Sequence, residues 1–498
     1  MTEKEIINKF DLLAQNRKRE IRESKDDLHV IGNTYYVSYD GNDDNDGLSP
    51  STSWKSLAKV SSAKLNKGDG VLFRRGDTFR GCIIAKSSVT YGAYGEGEKP
   101  KLYGWDKNLA DSSLWQEVDK ERHIYKLTEK ILDVGTLVFN DGEAHSIKLI
   151  PSYKNGKFVC RDDESKAFVF SSEAKRNLDI YWHYDEDLTI EPSRGENFPI
   201  PKISEYSLGD LYVRSDNGNP GEIFSSIEAL TRRAMFIVGE NSDVRIDNLC
   251  IKYVGLHAIA AGGENVKGLK VTNCEIGWIG GCIQHYFGTD PNYPQGGRGT
   301  VTRFGNGVEI YGGCDNYEVS SCYIYEVYDA GVTHQITTNG KRYTLSNIRY
   351  ENNLIERCVY SIEYFLDMNE GDTDSIMQNV AICKNILRLC GYGWGQQRHN
   401  VDTPAHIKGW EYVNNAKDFY IYDNVLDRSA YRLLHIVAND EKSLPKMSSN
   451  TYIQHKGKTF GTYGTTKNCT KKTITYDENV SNLLKTALNS KDDTVYII

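Results

Sequence analysis

The sequence predicts an all-β chain built as a parallel β-helix, with one inserted β-sandwich-like subdomain and a short N-terminal helix. Three observations carry this. From residue 244 onward short strands recur, with Asn, Asp or Gly in most turns. One phrase keeps returning, Asn or Ser followed two or three places on by an aliphatic residue. It stands at Asn248, Asn273, Ser321, Asn353, Asn385 and Asn424, with spacings of 25, 48, 32, 32 and 39. Finally, no amphipathic helical pattern separates these strands. A unit this small cannot bury its own apolar face and must stack on its neighbours. With short strands and no helices between them, the stack is a parallel β-helix, and the LxxLxL spacing of the rival leucine-rich horseshoe is missing. The recurring asparagines are expected to form an internal amide ladder from coil to coil.

The elements follow in chain order. In residues 1–32, Ile6, Ile7, Phe10, Leu12 and Leu13 fall at helical spacing, which predicts an amphipathic helix acting as a cap. Residues 33–104 read as a strand at 34–38, an Asn/Asp/Gly turn cluster, a short helix near 54–65 and glycine-punctuated strands, the first part of the β-helix. Residues 105–234 lose the recurring phrase and alternate as strands, which marks the insert. In 235–439, the main coils, each phrase leads into a small-residue strand: LHAIAAGG, GGCIQHYF, DAGVTHQI, VYSIEYFL, GYGWGQQR and AYRLLHIV, with GNGVEIYG as a further one. The polar tail 440–498 ends in a short helix and a strand and is expected to cap the open end.

Composition narrows the function. The 498 residues carry a net charge of −8 with acids and bases interspersed, so a nucleic-acid partner is not expected. No window has the roughly 18 consecutive apolar residues of a membrane span, and the charged first 27 residues lack a secretory pattern. A soluble, cytoplasmic protein is expected. The eleven cysteines are scattered without a CxxC pair, which argues against structural zinc and for a reducing compartment. Asn42–Gly47 imitates the start of a calcium loop, but Ser53 stands where the bidentate Glu belongs. Asp367, Asn369, Asp372 and Asp374 read as a solvated acidic turn. Neither metal nor cofactor is expected.

Alternate residues of a strand face opposite ways. With Ile283, Val308, Val332 and Ile362 inward, Gln284, Glu309, Thr333 and Glu363 face outward on one side, followed two places on by Tyr286, Tyr311, Gln335 and Phe365. If coils are about 4.8 Å apart, Glu309 and Glu363 bracket Thr333 with Cα atoms about 9–10 Å apart. Asp329 sits at the turn entering the Thr333 strand, and Asp367 closes the Glu363 strand. Around these acids lie Gln284, His285, Tyr311, Thr333, His334, Gln335, Trp394, Gln396, Gln397, Arg398 and His399, with hydroxyl-binding groups and aromatic faces suited to sugars. The alignment turns His285 and His334 nominally inward, and Trp394 also fits a core role. The Gly- and Pro-rich loop 287–305 is expected to overhang the cleft.

The segments YYVSYDGNDDNDGLSPSTSWKSLAKV, GDGVLFRRGDTF and GAYGEGEKPKLYG resemble the N-terminal start of right-handed parallel β-helix proteins of the pectate-lyase-like superfamily. Together with GNGVEIYGGCDN and YDAGVTHQ, the chain is similar to β-helix glycoside hydrolases, including intracellular exo-acting β-xylosidase-type enzymes, over 33–104 and 235–436. The LYVRSDNGNP segment resembles the inserted sandwich that helps wall the active site in those hydrolases. The resemblance implies an exo-acting glycoside hydrolase on oligosaccharides or glycosides. Two carboxylates among Glu309, Asp329, Glu363 and Asp367 would supply acid/base and nucleophile or base. Glu363, among apolar and aromatic residues, is the expected acid/base, since such surroundings raise a carboxyl pKa. A polysaccharide lyase on uronate glycans is the first alternative. It needs cationic help, and Arg298, Arg303, Lys341, Arg342, Arg398 and Lys408 are all expected in loops or turns. A non-catalytic glycan-binding β-helix is the second. The oligomeric state is left open, a homodimer being one form.

Overall fold

A computed structural model of the chain describes all residues except 26–27, 29, 155–156, 161–162, 164, 184–189, 193–198, 202–206, 287–300, 369–373, 399–403, 467–471, 476–479 and 488. The molecule is a parallel β-helix. Each coil of its main part contributes three strands. One coil runs Ala330–Thr337, Thr344–Glu351 and Leu354–Glu356, and the next runs Tyr360–Asp367, Ile376–Cys383 and Ile386–Cys390. Each strand pairs in parallel with its counterpart in the following coil. The side chains turned inward form one continuous core from Val37 to Leu484, dominated by Val, Ile and Leu with a column of tyrosines. The coils continue past residue 439: Arg432–Ala438 pairs with Thr459–Thr465, and antiparallel Lys472–Thr475 closes that side.

The expected ladder exists, in part. Asn353, Asn385, Asn424 and Asn450 are buried, and each of the first three donates from Nδ2 to the Oδ1 of the next at 3.0 Å. Each also reaches the preceding coil's backbone, as Asn385 does to the Tyr350 carbonyl at 2.9 Å. Asn248, Asn273 and Ser321 are not rungs. They sit one place earlier, in the left-handed conformation that also holds Asn352 (φ 58°) and Asp423 (φ 57°). The rung position after Asn273 and Ser321 is Cys274 and Cys322, whose thiols donate to the Ile246 and Val271 carbonyls. The recurring phrase therefore merges two neighbouring demands of one corner. One is a residue tolerant of positive φ; the other is a small buried hydrogen-bonding side chain.

The helix Glu3–Arg22 does not close an end. It lies along the side of the stack. Its Ala14 and Ile21 pack on Tyr323, Leu354 and Ile386, while Ile6 and Phe10 reach Ile453 and Tyr496. Twenty residues span about 30 Å, close to six coil intervals at about 4.8 Å each. Polar contacts follow the same line: Arg22 pairs with Glu275, Lys18 with Glu356, and Asp11 with Arg388 and Arg428. Thr2 and Glu5 fix its start as a reciprocal cap.

In the insert, Trp115–Asp119, Ile124–Leu127, Ile131–Leu132, Ile147–Lys148, Asp179–His183 and Leu208–Arg214 form a six-stranded sheet. Its Trp115, Ile180, Trp182, Leu211 and Val213 pack against Leu137, Phe139, Ile227 and Ala229. These last belong to Val134–Phe139 and Ile227–Thr231, which extend a sheet of the β-helix itself. The insert thus shares its second layer with the coils. The Asn42–Gly47 turn is tied by its own backbone: Asp43 accepts from the Lys55 and Ser56 N–H groups and Asp46 from that of Leu48. The acidic turn proposed after Asp367 lies largely outside the described residues. Of the ten described cysteines, all but Cys82 are buried.

Candidate active site

The outward stripe is set by register. Ala260, Glu309, Thr333, Glu363, Lys408, His435 and Thr462 stand beside one another on seven successive strands. Glu309 and Glu363 bracket Thr333, as the alternation of inward aliphatics predicts. Although they point away from the core, these side chains are nearly covered: Glu309 is 7% exposed, Glu363 5% and Lys408 2%. Tyr311 and Phe365, two places on, meet edge to face at 6.4 Å on either side of Gln335.

Glu309 accepts a hydrogen bond from Asn306 Nδ2, and more distantly from Gln335 Nε2 and Thr333 Oγ1, both at 3.4 Å. His257 Nδ1 lies 3.5 Å from the same carboxylate. Asn306 also accepts from the Ala330 N–H at 2.8 Å, so one side chain locks Glu309 to the turn bearing Asp329. Asp329 is paired with the Arg398 guanidinium. Burial pushes its carboxyl up, Arg398 draws it back, and the Glu309 charge raises it again. Glu363 accepts from the Trp410 indole N–H. Burial, with Asp329 as a charged neighbour, pushes its pKa up to about 8 against the pull of Arg398. Three carboxyl groups from adjoining coils therefore lie close enough to act on one another's charge. Glu363 is held protonated at neutral pH, as its apolar strand implies.

Asp367 is in register with Thr337, whose hydroxyl donates to it at 3.4 Å. Lying four residues along the strand from Glu363, about 13 Å by strand rise, it is apart from the other three acids. His334 is no sugar contact. It is fully buried inside the coil, stacks on Tyr364 and meets the Tyr350 hydroxyl at 2.8 Å; burial pushes its pKa down to about 3. Trp394 also fills core space, packing on Tyr328 with its indole N–H on the Glu326 carbonyl.

Two expected rungs are not rungs. The strand Cys282–Tyr286 pairs antiparallel with Val301–Phe304, so Ile283 packs in the insert's core and Gln284 is exposed on a hairpin. The strand that precedes Glu309's own in the stack is Ile259–Lys267 instead. GYGWGQQR is a turn with a short 3-10 segment, Trp394–Gln397, and the rung it was expected to supply is Ala405–Val413. Lys408 thus lies in a strand, as does Arg303, contrary to the expectation of loops. Gln396 is exposed, and Gln397 binds the Ser146 carbonyl at 2.9 Å, tying this turn to the insert. Of that turn's candidates among the described residues, Arg398 alone reaches the acids. The side chain of His285, all of His399 and loop residues 287–300 lie outside the described residues.

The residues missed in the sequence are Asn306, His257, Trp410 and His435, while Lys408 was named but expected in a loop. Lys408 and Trp410 carried a signal: in Ala-His-Ile-Lys-Gly-Trp, an inward Ile407 puts both outward beside Glu363. A bulge after Gly409, where the register against Leu366 slips to Val413, lets Trp410 fold back over Tyr360 and Glu363. Beyond Arg398 a cleft of about 970 Å³ opens between the turn and the insert, lined by His145, Phe168, Lys175 and Gln396 among others.

No family model and no curated protein matches the sequence. Solved structures similar to this chain include a GH136 lacto-N-biosidase from Eubacterium ramulus, 12% identical over 94% of this chain and 68% of that one, with a TM-score of 0.42. XylC in complex with xylose is 11% identical over 93% of this chain and 82% of its own, at 0.37. A rhamnogalacturonan lyase is 9% identical over 86% and 76%, at 0.33.

Proposed function

We propose that the chain is a glycoside hydrolase acting on the ends of oligosaccharides or on glycosides, with Glu363 donating the proton to the leaving oxygen. The observation that carries this is the buried cluster of Glu363, Asp329 and Glu309. One carboxyl there is held protonated by burial, while the others accept hydrogen bonds from Arg398 and from Asn306, Gln335 and Thr333. Glycosidic cleavage needs this division of labour, an acid for the leaving group and a carboxylate to attack or to activate water. Asp329 or Glu309 takes the second part. Tyr311 and Phe365 offer sugar-stacking faces. The insert is tied through Gln397 to the turn whose Arg398 pairs with Asp329, a placement that suits a site closed to long chains. Free cysteines suit a reducing, cytoplasmic setting, and among the described residues no helix is long and apolar enough to cross a membrane.

A panel of p-nitrophenyl glycosides and short oligosaccharides, run with Glu309→Gln, Asp329→Asn, Glu363→Gln and Asp367→Asn, tests the reading. The first three are expected to lose roughly 100-fold or more in turnover, and Asp367→Asn to stay near normal. Near-normal turnover in Glu363→Gln and Asp329→Asn would remove it. One observation favours uronate elimination as a second reading: Lys408 stands in register with Glu363. A rise in absorbance from unsaturated uronate, in place of saturated reducing sugar, would establish that reaction.

A further inference from the structure

The cleft of about 970 Å³ between the insert and the Trp394–Gln397 turn has one residue in common with the acid cluster: Arg398, which lines it, is paired with Asp329. Its two sides are fixed to each other. Gln397 donates from Nε2 to the Ser146 carbonyl at 2.9 Å and accepts from the Lys148 N–H at 3.2 Å, so the turn is bonded along the insert. On the insert side stands a buttressed aromatic. Phe168 and Phe170 both pack on Tyr181, at 4.7 and 5.4 Å between ring centres, and Phe168 is left half-buried at the cleft. His145 Nδ1 meets the Ser146 carbonyl at 3.2 Å, so that nitrogen carries the proton and Nε2 is left to accept. Lys175 and Gln396 are exposed at the cleft, and their side chains have no hydrogen bond or ion pair among the described residues. The other basic side chains lining it each have a carboxylate partner: Lys148 with Asp133, Arg176 with Asp179 and Arg398 with Asp329. Glu173 and Lys175 add one charge of each sign.

We propose that this cleft holds the sugar units of the substrate that lie beyond the bond being cut, so that the chain prefers neutral oligosaccharides to simple glycosides, with Phe168 as the stacking platform and His145, Lys175 and Gln396 as hydroxyl partners. This rests on the acid cluster being the place of reaction. The volume stands at the upper end of the roughly 300–1,000 Å³ of ligand clefts, which suits several rings in place of one. A sugar presents C–H faces to an aromatic ring and hydroxyls that both donate and accept. The cleft answers with one aromatic ring, an imidazole acceptor, an ammonium donor and an amide that does both. Its paired charges do not favour an ionic ligand, because a new charge would have to compete with a partner already in place. Walls bonded to each other before binding leave less order for the ligand to impose.

The test is calorimetric titration of the full chain carrying Glu363→Gln, so that the sugars stay uncut, with β-1,4-linked mono- to tetrasaccharides of xylose, glucose and galactose. In at least one series, affinity is expected to rise roughly 10-fold or more from the monosaccharide to the trisaccharide. Adding Phe168→Ala, and separately Gln396→Ala, is expected to cut that gain by roughly 3- to 10-fold, the worth of one stacking or hydrogen-bonding contact. Thermal unfolding shows whether both variants are folded, and the exposed Gln396 serves where loss of Phe168 disturbs the insert. Affinity independent of length in every series, no detectable binding of any oligosaccharide, or a gain unchanged in both variants would overturn the proposal. A gain with length, without turnover of any glycoside by the wild type, would keep the cleft and remove the hydrolase reading. Turnover of simple glycosides with no gain from length would do the reverse.

Discussion

Glu363 shows how a single side chain acquires a role from its surroundings. Its strand neighbours are apolar, Trp410 covers it, and two further acids lie near, so its proton is retained to about pH 8. Activity that needs the protonated acid is expected to fall as pH rises through about 8, and Glu363→Gln should abolish that limb; a limb unchanged in position in a residually active Glu363→Gln would assign it elsewhere. The same burial has a cost. The folded-state pKa lies above the unfolded one, so any stability linked to this group is complete below the ordinary carboxyl pKa of about 4.3 and is lost as pH rises through 8. Glu363→Gln is therefore expected to be more stable than wild type at pH 9, by on the order of a few kcal/mol, with no difference at pH 4. Denaturant melts at the two pH values check the sign. The apolar surroundings that raise its pKa were legible in SIEYFL. Its neighbours Trp410 and Lys408 were not placed beside it, because a turn rich in Gly, Trp and Gln imitated the next rung and hid the real strand behind it.

At the scale of the element, the corner decides the coil. Asn385 makes two donor contacts, and its Oδ1 accepts from both Asn353 N–H groups, backbone and side chain, at 3.0 Å each. Asn385→Leu leaves several of these groups buried without partners and is expected to cost about 3–5 kcal/mol, measured by denaturant unfolding. A cost under about 1 kcal/mol would mean the ladder is incidental. The ladder was readable as a repeat, but its register was not: sequence shows an Asn or Ser at each corner without saying whether it serves positive φ or the buried rung. Cys274 and Cys322 at rung positions explain why the repeat fades in the earlier coils. The N-terminal helix was readable as amphipathic, yet its apolar stripe could not say whether it covers an end or a side. Deleting residues 1–25 should uncover Tyr323, Leu354 and Ile386 and the ion pairs of Arg388. A loss of roughly 5 kcal/mol from four buried side chains follows from their burial. An unchanged thermal midpoint would contradict the side-strap packing.

For the whole molecule, a β-helix brings residues distant in sequence into one line, and here the line runs from acids to bases along one outward stripe. The insert, the Trp394–Gln397 turn and Arg398 join that line from one side. The fold class was legible because stacking leaves a periodic trace. The site was half legible: strands aligned by inward aliphatics located Glu309, Thr333 and Glu363. Asn306, His257 and the bulge carrying Trp410 depend on loop geometry that leaves no period. The most direct measurement of the central claim is the release of reducing sugar from a glycoside panel by wild type and Glu363→Gln side by side. The account predicts hydrolysis by the wild type and a loss of roughly 100-fold or more in the variant. Equal rates in the two proteins would contradict it.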